Sequence, residues 1–145
     1  MTSGYRAALG SLLVNLLNPE VQNVHDALGI EVIKATPEEV VVQVMVGPKV
    51  HQPYGILHGG VSALVAESAA SIGGAVTVGP DRIVVGTELN CSHLRSMREG
   101  LLTATARPVR TGRTVHVWAI DLTDEDGRMI CIARCSLAVL DAPKA

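Results

Sequence analysis

The sequence has 145 residues, of which 48% are hydrophobic, and this suits one domain with a substantial core. Its net charge of −2 would not attract a polyanion, and one Trp, two Tyr and no Phe leave few rings on which bases could stack. We therefore expect no nucleic-acid partner, and we expect aliphatic side chains to line any ligand pocket.

The N-terminal segment predicts a short amphipathic helix within residues 1–20. Its leucines between Ala7 and Leu17 fall on one helical face, and the following Asn18-Pro19-Glu20 is a poor signal-peptide cleavage site. We expect this helix to pack on a core of residues 28–141, so that residues 1–145 form a single domain.

The three cysteines favour a reduced, cytoplasmic protein. They are odd in number, contain no C-x-x-C pair and lie in apolar runs, at Cys91, Cys131 and Cys135. We predict that they fill the core and bind no metal.

Two strands and a long helix come next in the chain. The β-branched residues of 29–35 and 40–46 predict strands, and glycines and prolines between 47 and 55 mark a loop. A helix is predicted from about His58 to Val78, and its composition predicts burial on nearly every face. It is long enough to raise the question of a membrane, but Glu67, serines and glycines argue against a spanning helix.

Four strands complete the chain, at 83–94, 101–109, 114–123 and 129–140. Their short connections predict an antiparallel meander, and the long helix must lie across one face of that sheet to bury itself. The predicted fold class is therefore α+β.

Glu67 is the only ionisable residue between Gly59 and Gly79. A carboxylate in apolar surroundings is costly unless it is paired, so Glu67 is either tolerated at an edge or retained for chemistry. The helix begins with Gly59-Gly60, whose N–H groups lack helical partners and carry the positive end of the helix dipole. Glycine also lets a ligand oxygen approach closely, and such a site would polarise a thioester carbonyl.

A wider motif surrounds these residues. His58-Gly59-Gly60 is preceded by Gln52 and followed by Glu67, Ser71 and Asn90-Cys91-Ser92-His93. The pattern resembles the PaaI-like group of hotdog acyl-CoA thioesterases, which includes the Arthrobacter-type 4-hydroxybenzoyl-CoA thioesterase and the enterobactin proofreading thioesterase. Over about residues 29–140, the resemblance implies the hotdog fold, a long central helix wrapped by an antiparallel sheet. It also implies hydrolysis of a thioester to free acid and CoA, with no cofactor and no metal.

The resemblance implies roles for individual residues. Glu67 would act as nucleophile or as general base, and Ser71 lies one turn further on the same helix face and could orient it. Gln52 and His58 would contact the thioester, with capping of the helix as a second possibility for His58.

The helix geometry bears on how such a site is assembled. Residues 60 and 67 lie about 10 Å apart along a helix, too far for one helix to serve both roles on one carbonyl. The resemblance therefore implies a homodimer with shared sites, and further assembly into a homotetramer.

An arginine-rich stretch predicts either a solvated hairpin or a patch for a phosphorylated ligand. Five of the twelve basic residues lie within 95–113. By resemblance, His93 lies near the acyl group or CoA, and sensible CoA contacts are Arg95, Ser96, Arg113 and the exposed backbone N–H of Gly112. Many relatives have an aromatic residue followed by Leu-Arg-Pro where this chain has His93-Leu94-Arg95-Ser96, which leaves the acyl group open.

Two other functions fit the same fold. A hotdog hydratase or dehydratase would pair a loop histidine such as His51 with Glu67. A non-catalytic module would bind acyl-CoA as a sensor and would have no use for Glu67.

Overall fold

A computed structural model of the protein describes residues 18, 20 and 22–143. The N-terminal helix expected within residues 1–20 therefore lies almost wholly outside the described residues, and the division into this helix and a core stays a prediction. The helices are a short α1 (Val24–Leu28), a 3-10 turn (Pro48–Val50) and a long α2 (Gly59–Val78). The strands are β1 (Ile30–Ala35), β2 (Val40–Val46), β3 (Arg82–His93), β4 (Gly100–Thr111), β5 (Val115–Thr123) and β6 (Met129–Asp141).

The six strands form one antiparallel sheet in the order β1-β2-β4-β5-β6-β3. Only the last three strands form a meander, so the predicted four-strand meander is wrong. After α2 crosses the sheet, the chain is at its far edge, where β3 pairs with β6. Residues 94–99 then bring the chain back to β4 beside β2, so β3 is left as an edge strand.

Helix α2 lies across one face of this sheet and closes the core. Its sheet side includes Val65, Ala66, Ala69 and Ala70, all fully buried, and the fully buried Trp118 lies against Gly73 of the same helix. The flank of the helix above β3 is open, and Glu67 on it is exposed. Composition alone predicts burial on nearly every face, but a site at Glu67 requires one face to be core and another to be the wall of a site, and the single chain shows this division.

By length and composition α2 could cross a membrane, yet half of its apolar window is buried inside the fold. It is thus packed as the core helix of a globular domain is.

The three cysteines are free thiols, and Cys131 and Cys135 are fully buried in the core. Burial raises the pKa of each of these two thiols to about 12. Cys91 is partly buried against the same core, and burial raises the pKa of its thiol as well. The prediction that the cysteines fill the core is confirmed.

Candidate active site

The N-terminus of α2 is capped by the histidine of the His58-Gly59-Gly60 motif. His58 is the N-cap residue, and its Nδ1 accepts a hydrogen bond of 2.8 Å from the Gly60 N–H. The Gly59 N–H makes no hydrogen bond within the described part of the chain. Of the two glycines, Gly59 is therefore the one whose donor is free for a ligand oxygen, at the positive end of the helix dipole.

A cavity of about 350 Å³, here called the carbonyl cavity, surrounds that free N–H. Its lining includes five predicted site residues, namely Gln52, Gly59, His93, Arg95 and Ser96. The His93 ring lies against the helix entrance, since a Cβ at Gly59 would come within 3.0 Å of His93 Nε2. A side chain at position 59 would therefore push this ring away.

The Gln52 amide is oriented by its own loop. Its Oε1 accepts a hydrogen bond from the Tyr54 N–H, which leaves the amide NH₂ as a donor toward the cavity. The loop is closed by a bond of 2.9 Å from the Gln52 N–H to the Ile56 carbonyl. It is tied to the segment after β3 by a bond of 2.7 Å from the Leu57 N–H to the Met97 carbonyl.

A second cavity of about 470 Å³, here called the carboxylate cavity, contains Glu67 and Ser71. The Glu67 carboxylate lies over β3 so closely that a Cβ at Gly86 would collide with Oε1. Among the described residues, Glu67 makes no hydrogen bond or ion pair, so it is not a buried glutamate paired with an arginine. Gly60 also lines this cavity, but its N–H is already bound by His58.

The predicted polar residues are thus divided between two cavities of one chain. The carbonyl cavity holds the free helix donor and Gln52, and the carboxylate cavity holds Glu67 and Ser71. Thioester hydrolysis requires donors that stabilise the oxyanion, and the carbonyl cavity has these. It also requires a carboxylate that attacks the carbonyl carbon or activates a water, and the carboxylate cavity has this group.

The structure does not bring the β4–β5 turn into either cavity. Gly112 and Arg113 line neither one, and the Gly112 N–H donates a bond of 2.9 Å to the Val115 carbonyl. The expectation that this N–H is exposed for a phosphate is therefore wrong. Elsewhere in the arginine-rich stretch, Arg107 forms a salt bridge of 2.7 Å with Glu39.

His51 is also placed away from Glu67. Its Nε2 lies 2.6 Å from the Arg98 carbonyl oxygen, and the residue lines neither cavity. Within one chain, His51 and Glu67 therefore do not form the histidine and carboxylate pair that a hydratase would use. Within the described residues, no group of three His, Cys, Asp or Glu side chains is arranged to hold a metal ion.

Three further polar residues at these cavities are absent from the sequence prediction. Ser62 is buried and lines the carbonyl cavity, and His25 and Ser68 line the carboxylate cavity. His25 lies on α1, a helix too short to show a periodic pattern. Its signal in the sequence is the capping box formed by Asn23 and Asp26.

Comparison with known proteins places this arrangement in a family. The family model described as the thioesterase superfamily matches residues 54–131. A 1,4-dihydroxy-2-naphthoyl-CoA hydrolase of Listeria monocytogenes is 49% identical over 114 residues, which cover 79% of this chain and 93% of that protein. The proofreading thioesterase EntH of Cronobacter sakazakii is 35% identical over 133 residues, 92% of either protein.

A solved structure confirms the fold. A crystal structure of a thioesterase from Haemophilus influenzae superposes with a TM-score of 0.83 at 34% identity, covering 90% of both chains. The predicted long helix with a wrapped antiparallel sheet is thus the fold that the chain adopts.

Proposed function

The chain belongs to the thioesterase superfamily, and its relatives include a naphthoyl-CoA hydrolase and a proofreading thioesterase. We propose that Glu67 is its catalytic carboxylate. The observation that carries the proposal is the division of the polar residues between two cavities. The naphthoyl-CoA hydrolase at 49% identity supports acyl-CoA as the substrate. No cofactor is required beyond the CoA of the substrate itself.

We propose further that two copies of the chain share each site. A free donor at Gly59 and a carboxylate at Glu67 lie about 10 Å or more apart along one helix, which exceeds the reach of a single carbonyl group. A second copy packed on the open flank of α2 would bring its Glu67 to the carbonyl cavity of the first. Twofold symmetry then creates two identical sites in each homodimer, and the pairing of dimers into a homotetramer stays a prediction.

The proposed chemistry assigns each half-site one task. The thioester carbonyl oxygen accepts hydrogen bonds from the Gly59 N–H and the Gln52 amide, which stabilise the tetrahedral oxyanion. Glu67 of the partner subunit either attacks the carbonyl carbon or takes a proton from an attacking water. If Glu67 attacks, the C–S bond breaks as an acyl-glutamyl anhydride forms, and water then cleaves this anhydride to release the acid and regenerate the carboxylate. If Glu67 acts as a base, water adds to the carbonyl and the C–S bond breaks as the tetrahedral intermediate collapses. On either route the CoA sulfur leaves and is protonated, and water supplies the second oxygen of the acid. Ser71, one turn from Glu67, would orient the carboxylate or the water.

The CoA moiety would leave the site past the other residues of the carbonyl cavity. His93, Arg95 and Ser96 also line this cavity, and Arg95 offers a charged donor for a phosphate. A contact from Arg113 stays a prediction. We also propose a cytoplasmic location, because free thiols persist in that reducing compartment.

The first experiment measures thiol release from a panel of acyl-CoA substrates. Replacing a catalytic carboxylate removes the attacking group or base, so Glu67→Ala and Glu67→Gln should each lower kcat by about 10³-fold or more. Glu38→Gln removes the same charge from an exposed turn and should match the wild type. Equal rates for the wild type and Glu67→Ala would refute the assignment.

The shared site is tested in the same assay by complementation. Gln52→Ala removes an oxyanion donor and should lower kcat on the order of 10²-fold. A mixed dimer of Glu67→Ala and Gln52→Ala, co-expressed with two affinity tags and purified through both, would contain one intact site. It should recover about half of the wild-type activity. A mixed dimer no more active than its parents would contradict the shared site and leave the role of Glu67 standing.

A further inference from the structure

Gln52, the proposed oxyanion donor, lies in a short loop between the 3-10 turn and α2. This loop, here called the Gln52 loop, runs over residues 51–57, and its end residues His51 and Leu57 face each other in an antiparallel bridge. It lies beside residues 94–99, the segment that follows β3, and both contribute to the lining of the carbonyl cavity. The geometry of this cavity therefore depends on how the loop is held to the segment.

Among the described residues, three hydrogen bonds join the Gln52 loop to the segment, and His51 makes one of them. The His51 Nε2 lies 2.6 Å from the Arg98 carbonyl oxygen. At the other end of the loop, the Leu57 N–H donates to the Met97 carbonyl at 2.7 Å. Near the tip, the Arg98 guanidinium donates to the Gly55 carbonyl at 3.2 Å. A carbonyl oxygen only accepts, so His51 Nε2 carries the proton of its bond, whether the ring is neutral or charged.

The segment gives the loop a firm support. Met97 is buried in the core, and the Leu94 and Arg95 N–H groups donate to the Ile130 carbonyl of β6 at 2.9 and 3.2 Å. His51 lines neither cavity, so within one chain its side chain acts on the loop and does not touch a ligand bound in either of them. Its bond to the segment therefore bears on the reaction through the position of the loop.

We propose that His51 is a positioning residue, which holds the Gln52 loop so that the Gln52 amide is aimed at the thioester carbonyl. The inference rests on the proposed function, because that function makes Gln52 an oxyanion donor. Such a donor acts at about 2.7–3.1 Å from the oxyanion, and a shift of about 1 Å costs on the order of 10²-fold in rate. His51 directly precedes Gln52, so its bond to the Arg98 carbonyl limits the movement of the backbone that carries the amide.

The experiment is a double-mutant cycle on kcat, measured with the acyl-CoA of the panel that the wild type hydrolyses fastest. His51→Leu removes the donor and should lower kcat by about tenfold, with KM changed by less than about twofold, because the oxyanion forms only in the transition state. In the Gln52→Ala background, His51→Leu should lower kcat by less than about twofold, because the amide that it positions is already absent. A residue needed only for general stability would have the same effect in both backgrounds.

His51→Gln is the matched variant that keeps a donor. It places an amide N–H near the position of Nε2 and should keep kcat within about threefold of the wild type. Lys49→Leu replaces an exposed side chain two residues away and should keep kcat within about twofold. A thermal unfolding curve shows that each variant is folded at the assay temperature, and His51→Ala takes the place of His51→Leu if the leucine variant is not.

The outcomes separate this inference from the function on which it rests. Wild-type kcat in His51→Leu would overturn the inference alone, and so would a loss that is undiminished in the Gln52→Ala background. A loss in His51→Gln as large as that in His51→Leu would overturn it too, because the hydrogen bond would then not be what matters. Wild-type kcat in Gln52→Ala would overturn the proposed role of Gln52 and the inference with it.

Discussion

Gly86 on β3 lies directly beneath the Glu67 carboxylate. Its backbone φ is not positive, so glycine is present there for space and not for conformation. The register of β3 against β6 shifts at this residue, and an added Cβ would collide with Glu67 Oε1. The position of the carboxylate therefore depends on the missing side chain of a neighbouring strand.

We predict that Gly86→Ala lowers kcat by about 10²-fold, because a displacement of about 1 Å at a reacting group has an effect of this size. The obstacle is the far end of a flexible side chain, so the protein should still fold. Gly47→Ala adds the same methyl group where nothing lies within 4 Å and should keep full activity. Unchanged thiol release by Gly86→Ala would show that the carboxylate acts from another position.

For individual site residues, the sequence predicted which residues carry the chemistry better than it predicted their exposure and hydrogen bonds. Glu67 stands out because it is the one charge in an apolar helix. Its exposure could not be predicted, because a helix with Ala, Val and Gly on every side does not show which face meets the sheet. The Gly59 donor was distinguished from that of Gly60 only by the His58 hydrogen bond, which depends on a side-chain rotamer.

The packing of α2 on the sheet depends on small residues in its second half. A Cβ at Gly73 would come within 2.5 Å of Trp118 Cη2, and one at Gly74 within 2.6 Å of Leu137 Cδ1. Trp118 and Leu137 are fully buried, so neither can move into solvent. The two glycines therefore set how closely the helix approaches the strands.

We predict that Gly73→Ala lowers the free energy of unfolding by about 1–3 kcal/mol through overpacking. This loss exceeds the stabilisation that alanine gives over glycine within a helix. Urea unfolding of the wild type and the variant measures the difference. Gly47→Ala, again in open space, should change stability by less than about 0.5 kcal/mol. A Gly73→Ala protein as stable as the wild type would mean that Trp118 has room to adjust.

The elements themselves were largely predictable, but their order in the sheet was not. The β-branched run of 40–46 and the glycines around α2 mark local structure, and local structure is what residue patterns encode. The partner of β3 is decided by where α2 delivers the chain after crossing the sheet. That depends on the length and direction of the helix in the folded molecule, so β3 lies beside β6 and not beside β4.

At the scale of the whole molecule, folding lowers the pKa of two histidines, His25 and His116. His116 on β5 is 2% exposed, and burial lowers its pKa from the ordinary value of 6.5, with nearby Arg82 adding to the effect. The Gly112 carbonyl opposes that shift in part. Burial lowers the pKa of His25 in the same direction.

These shifts predict how stability changes with pH. Below about pH 6.5 the unfolded chain binds protons that the folded chain still excludes, so the free energy of unfolding falls as the pH falls. Urea unfolding between pH 7.5 and 5 should show this decline, and a His25→Gln, His116→Gln double variant should show a shallower one. The same slope in both proteins would assign the acid sensitivity to other groups.

The seven residues between Gly59 and Glu67 act as a fixed spacer between the two half-sites. Each added residue in a helix turns everything beyond it by about 100° and advances it by about 1.5 Å. A single insertion there would turn the carboxylate out of register with the helix entrance, and it would turn the buried face of α2 relative to the sheet. Related sequences that keep the activity can therefore differ in the length of hairpin tips such as 124–128. They must keep the same number of residues between the two half-sites.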